Sequence, residues 1–143
     1  ADVIDLKPKI VVILAGTNDI AGNTGPATVK MITDNIISMA VLARSNRIHV
    51  ILSSILPAAD YPWNPGLDPP EKIKAVNYVL KKYANQNSLT YLDYYTSMVD
   101  NNNELKKKYT YDGVHPNKKG YELMSILADQ AISETLQLIL KNQ

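Results

Sequence analysis

Two short stretches of this chain combine residue types that can do chemistry. Asp112-Gly113-Val114-His115-Pro116 sets a carboxylate three residues before an imidazole, across a glycine-containing loop. A carboxylate so placed can fold back and accept the Nδ1–H of the ring. That fixes the tautomer and leaves Nε2 as a general base for a hydroxyl nucleophile. Pro116 and Asn117 then open a helix, which seats the imidazole on a rigid element. The same residues also suit an Asx-turn followed by a helix cap, with His115 merely packed. The second stretch is Gly16-Thr17-Asn18-Asp19. Asn18 offers a neutral amide whose N–H groups can donate to a developing oxyanion without acting as an acid. Gly, Asn and Asp are equally common turn formers, and Asp19 reads as a turn or cap ligand.

Both stretches need a scaffold, and the apolar pattern supplies one. Ile10 to Ala15 is a continuous apolar run closed by Gly16, which suits a strand buried on both faces of a parallel sheet. Ile48 to Leu52 reads the same way, and Leu89 to Leu92 is a weaker third strand. Helices lie between. Val29, Ile32, Ile36, Ala40 and Ala43 follow helical spacing after Gly25-Pro26, with Pro26 expected in the first turn. Asp68-Pro69-Pro70-Glu71 predicts an N-cap Asp and a Glu at N3 reaching back, ahead of a stripe of Ile73, Val76, Leu80 and Tyr83. A last helix follows Pro116-Asn117, with Tyr121, Met124, Leu127, Ala128, Ala131, Ile132, Thr135 and Ile139 as its stripe. Strands alternating with helices imply βαβ units and a layered α/β fold. Chemistry in such folds gathers beyond the carboxyl ends of the strands, where Gly16 and the residues after it fall.

Bulk properties narrow the function. A chain of 143 residues fits one domain with a real core. A formal net charge of +1 makes no electrostatic case for nucleic acid or an anionic membrane surface. Cys is absent, which removes disulfides, a thiolate nucleophile and Cys-based metal sites. The remaining histidine, His49, sits among aliphatics in the second strand pattern and reads as a packed or sheet-surface imidazole. No spacing supports a metal site, and no apolar run reaches the ~18 residues of a membrane span. A processed signal peptide leaves no trace, so secretion or a periplasmic location stays open. Tyr61 and Trp63 lie in a proline-rich segment, Ala58 to Pro70. Trp63 there can stack on a sugar, wall an acyl pocket, or anchor the loop.

Gly-Thr-Asn-Asp after the first strand, and Asp-Gly-Val-His-Pro-Asn before the last helix, form an ordered pair. Together they resemble the late motifs of the SGNH/GDSL hydrolases. The exit Ser53-Ser54-Ile55-Leu56-Pro57 and the segment Pro62-Trp63-Asn64-Pro65-Gly66 resemble that family too. The flavour is similar to bacterial acylhydrolases and carbohydrate esterases grouped with platelet-activating-factor acetylhydrolase-like proteins. The resemblance implies a three-layer α/β/α fold with a parallel sheet. It implies Asn18, with Gly16, as oxyanion or substrate-binding residues, His115 as general base and Asp112 as its orienting carboxylate. It implies serine attack on a small-molecule ester and an acyl-enzyme, with no metal or organic cofactor.

One departure is large. The family opens on a strand ending in Gly-Asp-Ser, which supplies the nucleophile, and no such block precedes Asn18. Ser53 and Ser54 lack a G-x-S-x-G elbow. Ala1 to Asp5 resembles the tail of the helix before the family's third strand. The expectation is therefore that residues 1–143 are the C-terminal portion of a single domain, inactive alone, with Ile10 to Ala15 left as an edge strand. A missing N-terminal segment or a second copy would cover that edge. Two other readings stand beside this one: a non-catalytic fragment or degenerate relative that binds or oligomerises, and an unrelated flavodoxin-like domain in which both stretches are turns.

Overall fold

The computed structural model describes residues 2–142; Ala1 lies outside them. The elements, in chain order, are α1 (Asp2–Asp5), β1 (Ile10–Ile13), α2 (Thr17–Ile20), α3 (Val29–Ser45), β2 (His49–Ser53), α4 (Pro69–Gln86), β3 (Thr90–Leu92), α5 (Tyr94–Met98), a 3-10 turn (Lys107–Tyr109) and α6 (Lys118–Lys141). The strands form one parallel sheet in the order β1-β2-β3. Ile10 pairs with His49, and Ser53 with Leu92.

Side chains alternate across a strand, so each strand feeds two cores. Ile13, Val50 and Leu52 face α3 and α4, where Ile32, Ile36, Ile73, Val76 and Leu80 close the first core. Ile51 and Leu92 face the other way, toward Met98, Met124 and Ala131 of α5 and α6. The result is three layers, helices on both faces of a parallel sheet. Each large aliphatic buried in these cores contributes about 1.5–3 kcal/mol. Thr90 Oγ1 and Thr135 Oγ1, 2.8 Å apart, pin α6 to β3. By length and composition α6 is apolar enough to cross a membrane; in this fold its buried stripe packs on the sheet.

Three expectations change. β2, paired on both sides, has four of its five residues buried, whereas β1 is an edge with only Ile13 buried and Leu14 exposed. Of the two strands read as buried on both faces, only the second is so enclosed. Helix α3 starts at Val29 with Thr28 as its cap, its hydroxyl accepting from the Met31 N–H, so Pro26 lies ahead of the helix. Asp68 does precede α4, but its backbone is left-handed (φ 47°) and its side chain makes no capping bond. Pro69 and Pro70, which lack N–H groups, leave little there to cap.

Candidate functional site

The loop from Thr110 to Asn117 presents His115. Gly113 turns it at φ +83°, a conformation open to glycine. Asp112 Oδ1 accepts the backbone N–H of Val114 at 2.9 Å and of His115 at 2.8 Å, so the side chain closes its own turn. Its other oxygen, Oδ2, lies 2.7 Å from His115 Nδ1. Thr110, almost fully buried, donates its hydroxyl to the His115 carbonyl at 2.7 Å and accepts from the Gly113 N–H at 3.0 Å. Behind the loop, Asn117 caps α6 by accepting from Gly120 N–H. Gly120 sits against the preceding turn: a Cβ there would meet the Tyr109 carbonyl at 2.6 Å.

These bonds set the charge. The His115 backbone N–H, then its ring, then the Val114 N–H hold the Asp112 carboxyl well below its ordinary value of 3.8. The ionised carboxylate engages Nδ1 of the imidazole, so Nε2 is the ring nitrogen left for other partners.

The second motif is placed by the end of β1. Gly16, at φ +111°, caps α2, and a Cβ on it would strike Ile55 at 2.8 Å. The turn that follows carries Thr17 and Asn18 to the surface, while Asp19 accepts from the Thr24 hydroxyl at 2.8 Å. Asn18 and His115 line the same cavity of about 250 Å³, with Thr17, Leu56, Pro57, Tyr61 and Tyr121. Gly16 is buried, and neither it nor Asp112 is among the residues that line the cavity.

Other side chains contribute that the motifs did not announce. The Trp63 ring lies 5.6 Å from the His115 ring and 5.2 Å from Tyr61. Tyr61 is fully buried, its hydroxyl without a hydrogen-bond partner, and burial pushes its pKa up to about 12. Tyr121, which heads the stripe of the last helix, is exposed and walls the cavity. The helical period assigns it a face, but it lies in the first turn of α6, beyond the sheet. Asn77 on α4 accepts from Ile55 N–H at 2.7 Å and donates to Ile55 carbonyl at 3.2 Å, fixing the exit of β2 beside the cavity.

Ser53 and Ser54 are buried. Ser53 donates to the Ser54 carbonyl, and the Ser54 hydroxyl accepts from the Tyr95 N–H. His49 is exposed at the first position of β2, the opposite end of the sheet from the cavity. Near it a larger cavity, about 790 Å³, is lined by Arg44, Arg47 and Thr135. It holds neither Asn18 nor His115, and size alone assigns it no chemistry. Among the described residues, no three His, Cys, Asp or Glu side chains cluster as metal ligands.

The profile of the GDSL-like Lipase/Acylhydrolase family matches residues 1–123. The chain belongs to this family. Among solved structures, a Bacteroides fragilis protein described as an acylhydrolase is 50% identical, with a TM-score of 0.92; the match covers 94% of this chain. A GDSL-like lipase from Bacteroides thetaiotaomicron is 46% identical, with a TM-score of 0.91 over 94% of this chain. The chain spans 66% of the length of each of these two proteins. A lipolytic protein of the G-D-S-L family from Desulfitobacterium hafniense is 28% identical, TM-score 0.74, over 91% of this chain and 69% of its own. None of the curated proteins matches this chain. The parallel three-layer fold described above is the one these family members share.

Proposed function

We propose that this GDSL chain forms most of the site of a serine ester hydrolase acting on small acyl esters, O-acetylated sugars among them. His115 is the general base, Asp112 its orienting carboxylate, and Asn18 the side-chain oxyanion donor. The observation that carries this is the pairing of His115 Nδ1 with Asp112 Oδ2 at 2.7 Å, on a ring that shares one cavity with Asn18. The nucleophilic serine lies outside residues 1–143, which act as the C-terminal portion of a single domain. A further strand, from the same chain or from a second copy, covers the edge of β1.

The reaction then runs in two steps. Nε2 of His115 takes the serine proton as Oγ attacks the ester carbonyl, and Asp112 stabilises the resulting imidazolium. Asn18 Nδ2 donates to the oxygen as it gains charge. The alcohol leaves with the proton from His115, and water repeats the sequence on the acyl-enzyme.

The test uses the full-length protein with p-nitrophenyl esters of increasing chain length. Hydrolysis of the acetate, lost in His115→Ala, is the expected result. Absence of turnover from acetyl through long acyl chains would sink the enzyme reading. Residues 1–143 alone should give background rates; turnover by them would place the nucleophile inside this chain.

A further inference from the structure

An oxyanion donor on an exposed turn poses an orientation problem. The two ends of an Asn amide have nearly the same shape, yet one donates and the other only accepts. Asn18 is useful to an oxyanion only with Nδ2 turned toward it; the flipped amide would present Oδ1 and repel the developing charge. Nothing in Gly16-Thr17-Asn18-Asp19 itself selects one orientation.

The selection comes from two loops away. Trp63 Nε1 donates to Asn23 Oδ1 at 3.0 Å, and Asn23 Nδ2 donates to Asn18 Oδ1 at 3.2 Å. An indole N–H can donate but never accept. The Asn23 atom facing it must therefore be the oxygen, which turns the Asn23 NH₂ toward Asn18. The Asn18 atom facing that NH₂ must in turn be the oxygen, which leaves Asn18 Nδ2 free.

Both loops are braced for this. Asn23 N–H donates to the Asn18 carbonyl at 3.0 Å, closing the turn that holds the two amides together. Asn64 Nδ2 donates to the Ala21 carbonyl at 3.0 Å, tying the Trp63 loop to the Asn18 loop. Asp60 Oδ1 accepts from the N–H groups of Tyr61 and Gly66, holding the Trp63 loop in shape. The Trp63 ring also stands against the His115 ring, so one side chain indexes the amide and the base to each other.

We infer that Asn23 and Trp63 are positioning residues, the indole N–H setting the polarity of the Asn18 amide through Asn23. This rests on the reading of Asn18 as oxyanion donor. Neither residue need touch the substrate; both act through Asn18. The relay makes a prediction that simple bracing does not. In Asn23→Asp the carboxylate still accepts from Trp63 but has no donor for Asn18. It instead attracts Asn18 Nδ2 and turns the amide the wrong way. Asn23→Asp should then be worse than Asn23→Ala, which merely releases Asn18.

The experiment is steady-state hydrolysis of p-nitrophenyl acetate by the full-length protein, with kcat read on the plateau of the pH–rate profile so that added charge beside His115 does not confuse the comparison. Asn18→Ala, as reference, should lower kcat about 10²–10³-fold. Asn23→Asp should approach that loss, and Asn23→Ala and Trp63→Phe should fall by roughly tenfold, with KM changed by no more than about threefold. The Trp63 indole N–H resonance, assigned by its loss in Trp63→Phe, should move in Asn23→Ala. An active wild type, with Asn18→Ala impaired but Asn23→Asp at or above the Asn23→Ala rate, overturns the relay alone. An indole resonance that stays in place in Asn23→Ala also overturns it. An inactive wild type, or an active one indifferent to Asn18→Ala, overturns the oxyanion reading and the relay with it.

Discussion

Asp112 holds His115 at two points: one carboxylate oxygen meets the ring nitrogen at 2.7 Å and the other accepts the backbone N–H of the same residue at 2.8 Å. A single side chain therefore sets both where the histidine backbone runs and which way its ring faces. The spacing of three residues makes this double hold possible, because the turn that closes on Oδ1 brings the ring round to Oδ2.

Asp112→Asn separates the two holds. The amide oxygen can still close the turn, but an NH₂ facing Nδ1 would move the ring proton to Nε2 and remove the base. In the full-length protein we expect kcat for p-nitrophenyl acetate to fall about 10⁴-fold, with the thermal midpoint little changed. A loss below tenfold would show that Asp112 does not orient the base.

The charge state of Asp112 has a consequence at low pH. Its folded value lies below the ordinary 3.8, so its contribution to the loop is fully present above 3.8 and is lost as pH falls through the folded value. Both groups are partly exposed, which limits the effect to local order. Hydrogen exchange should find the Val114 and His115 amides still protected at pH values well below 3.8. Protection that vanishes while the carboxylate is still ionised would contradict this.

Gly120→Ala tests the seat of the histidine loop. The new Cβ would meet the Tyr109 carbonyl at 2.6 Å and Pro116 Cβ at 2.9 Å, and neither belongs to a flexible side-chain end. We expect a loss of about 1–3 kcal/mol in denaturant unfolding. Turnover should fall in the protein that remains folded, because Pro116 adjoins His115. Unchanged stability and turnover would mean the loop yields freely.

Asn77→Ala should cost about 2–5 kcal/mol, since it strands the N–H and carbonyl of Ile55 in a buried setting. His49→Ala, at an exposed position, should stay within about 0.5 kcal/mol. Comparable urea midpoints for the two variants would refute the Asn77 clamp.

Much of the architecture was legible before folding is considered. Ile10 to Ala15, Ile48 to Leu52 and Leu89 to Leu92 announce themselves as apolar β runs, and strands form within a residue or two of those bounds, at Ile10–Ile13, His49–Ser53 and Thr90–Leu92. Asn117 caps α6 where the residue order places a cap, and Asp112 meets His115 because three residues of chain suffice to bring them together. Each of these depends on hydrogen bonds or periodicity among near neighbours, which residue order encodes directly. Pairings across loops are not encoded that way. The bonds from Trp63 to Asn23 and from Asn77 to Ile55 span residues far apart in the chain, and they exist only once the parallel register brings those loops to one end of the sheet. The same holds for burial: β1 and β2 have similarly apolar residues, and only strand order makes β2 the one enclosed on both sides. By itself the sequence determined the strands, the Asn117 cap of α6 and the Asp112–His115 hold, all local. The shared cavity of Asn18 and His115, and the tryptophan between their loops, were decided by the tertiary structure, because strand register alone carries distant turns to a common edge.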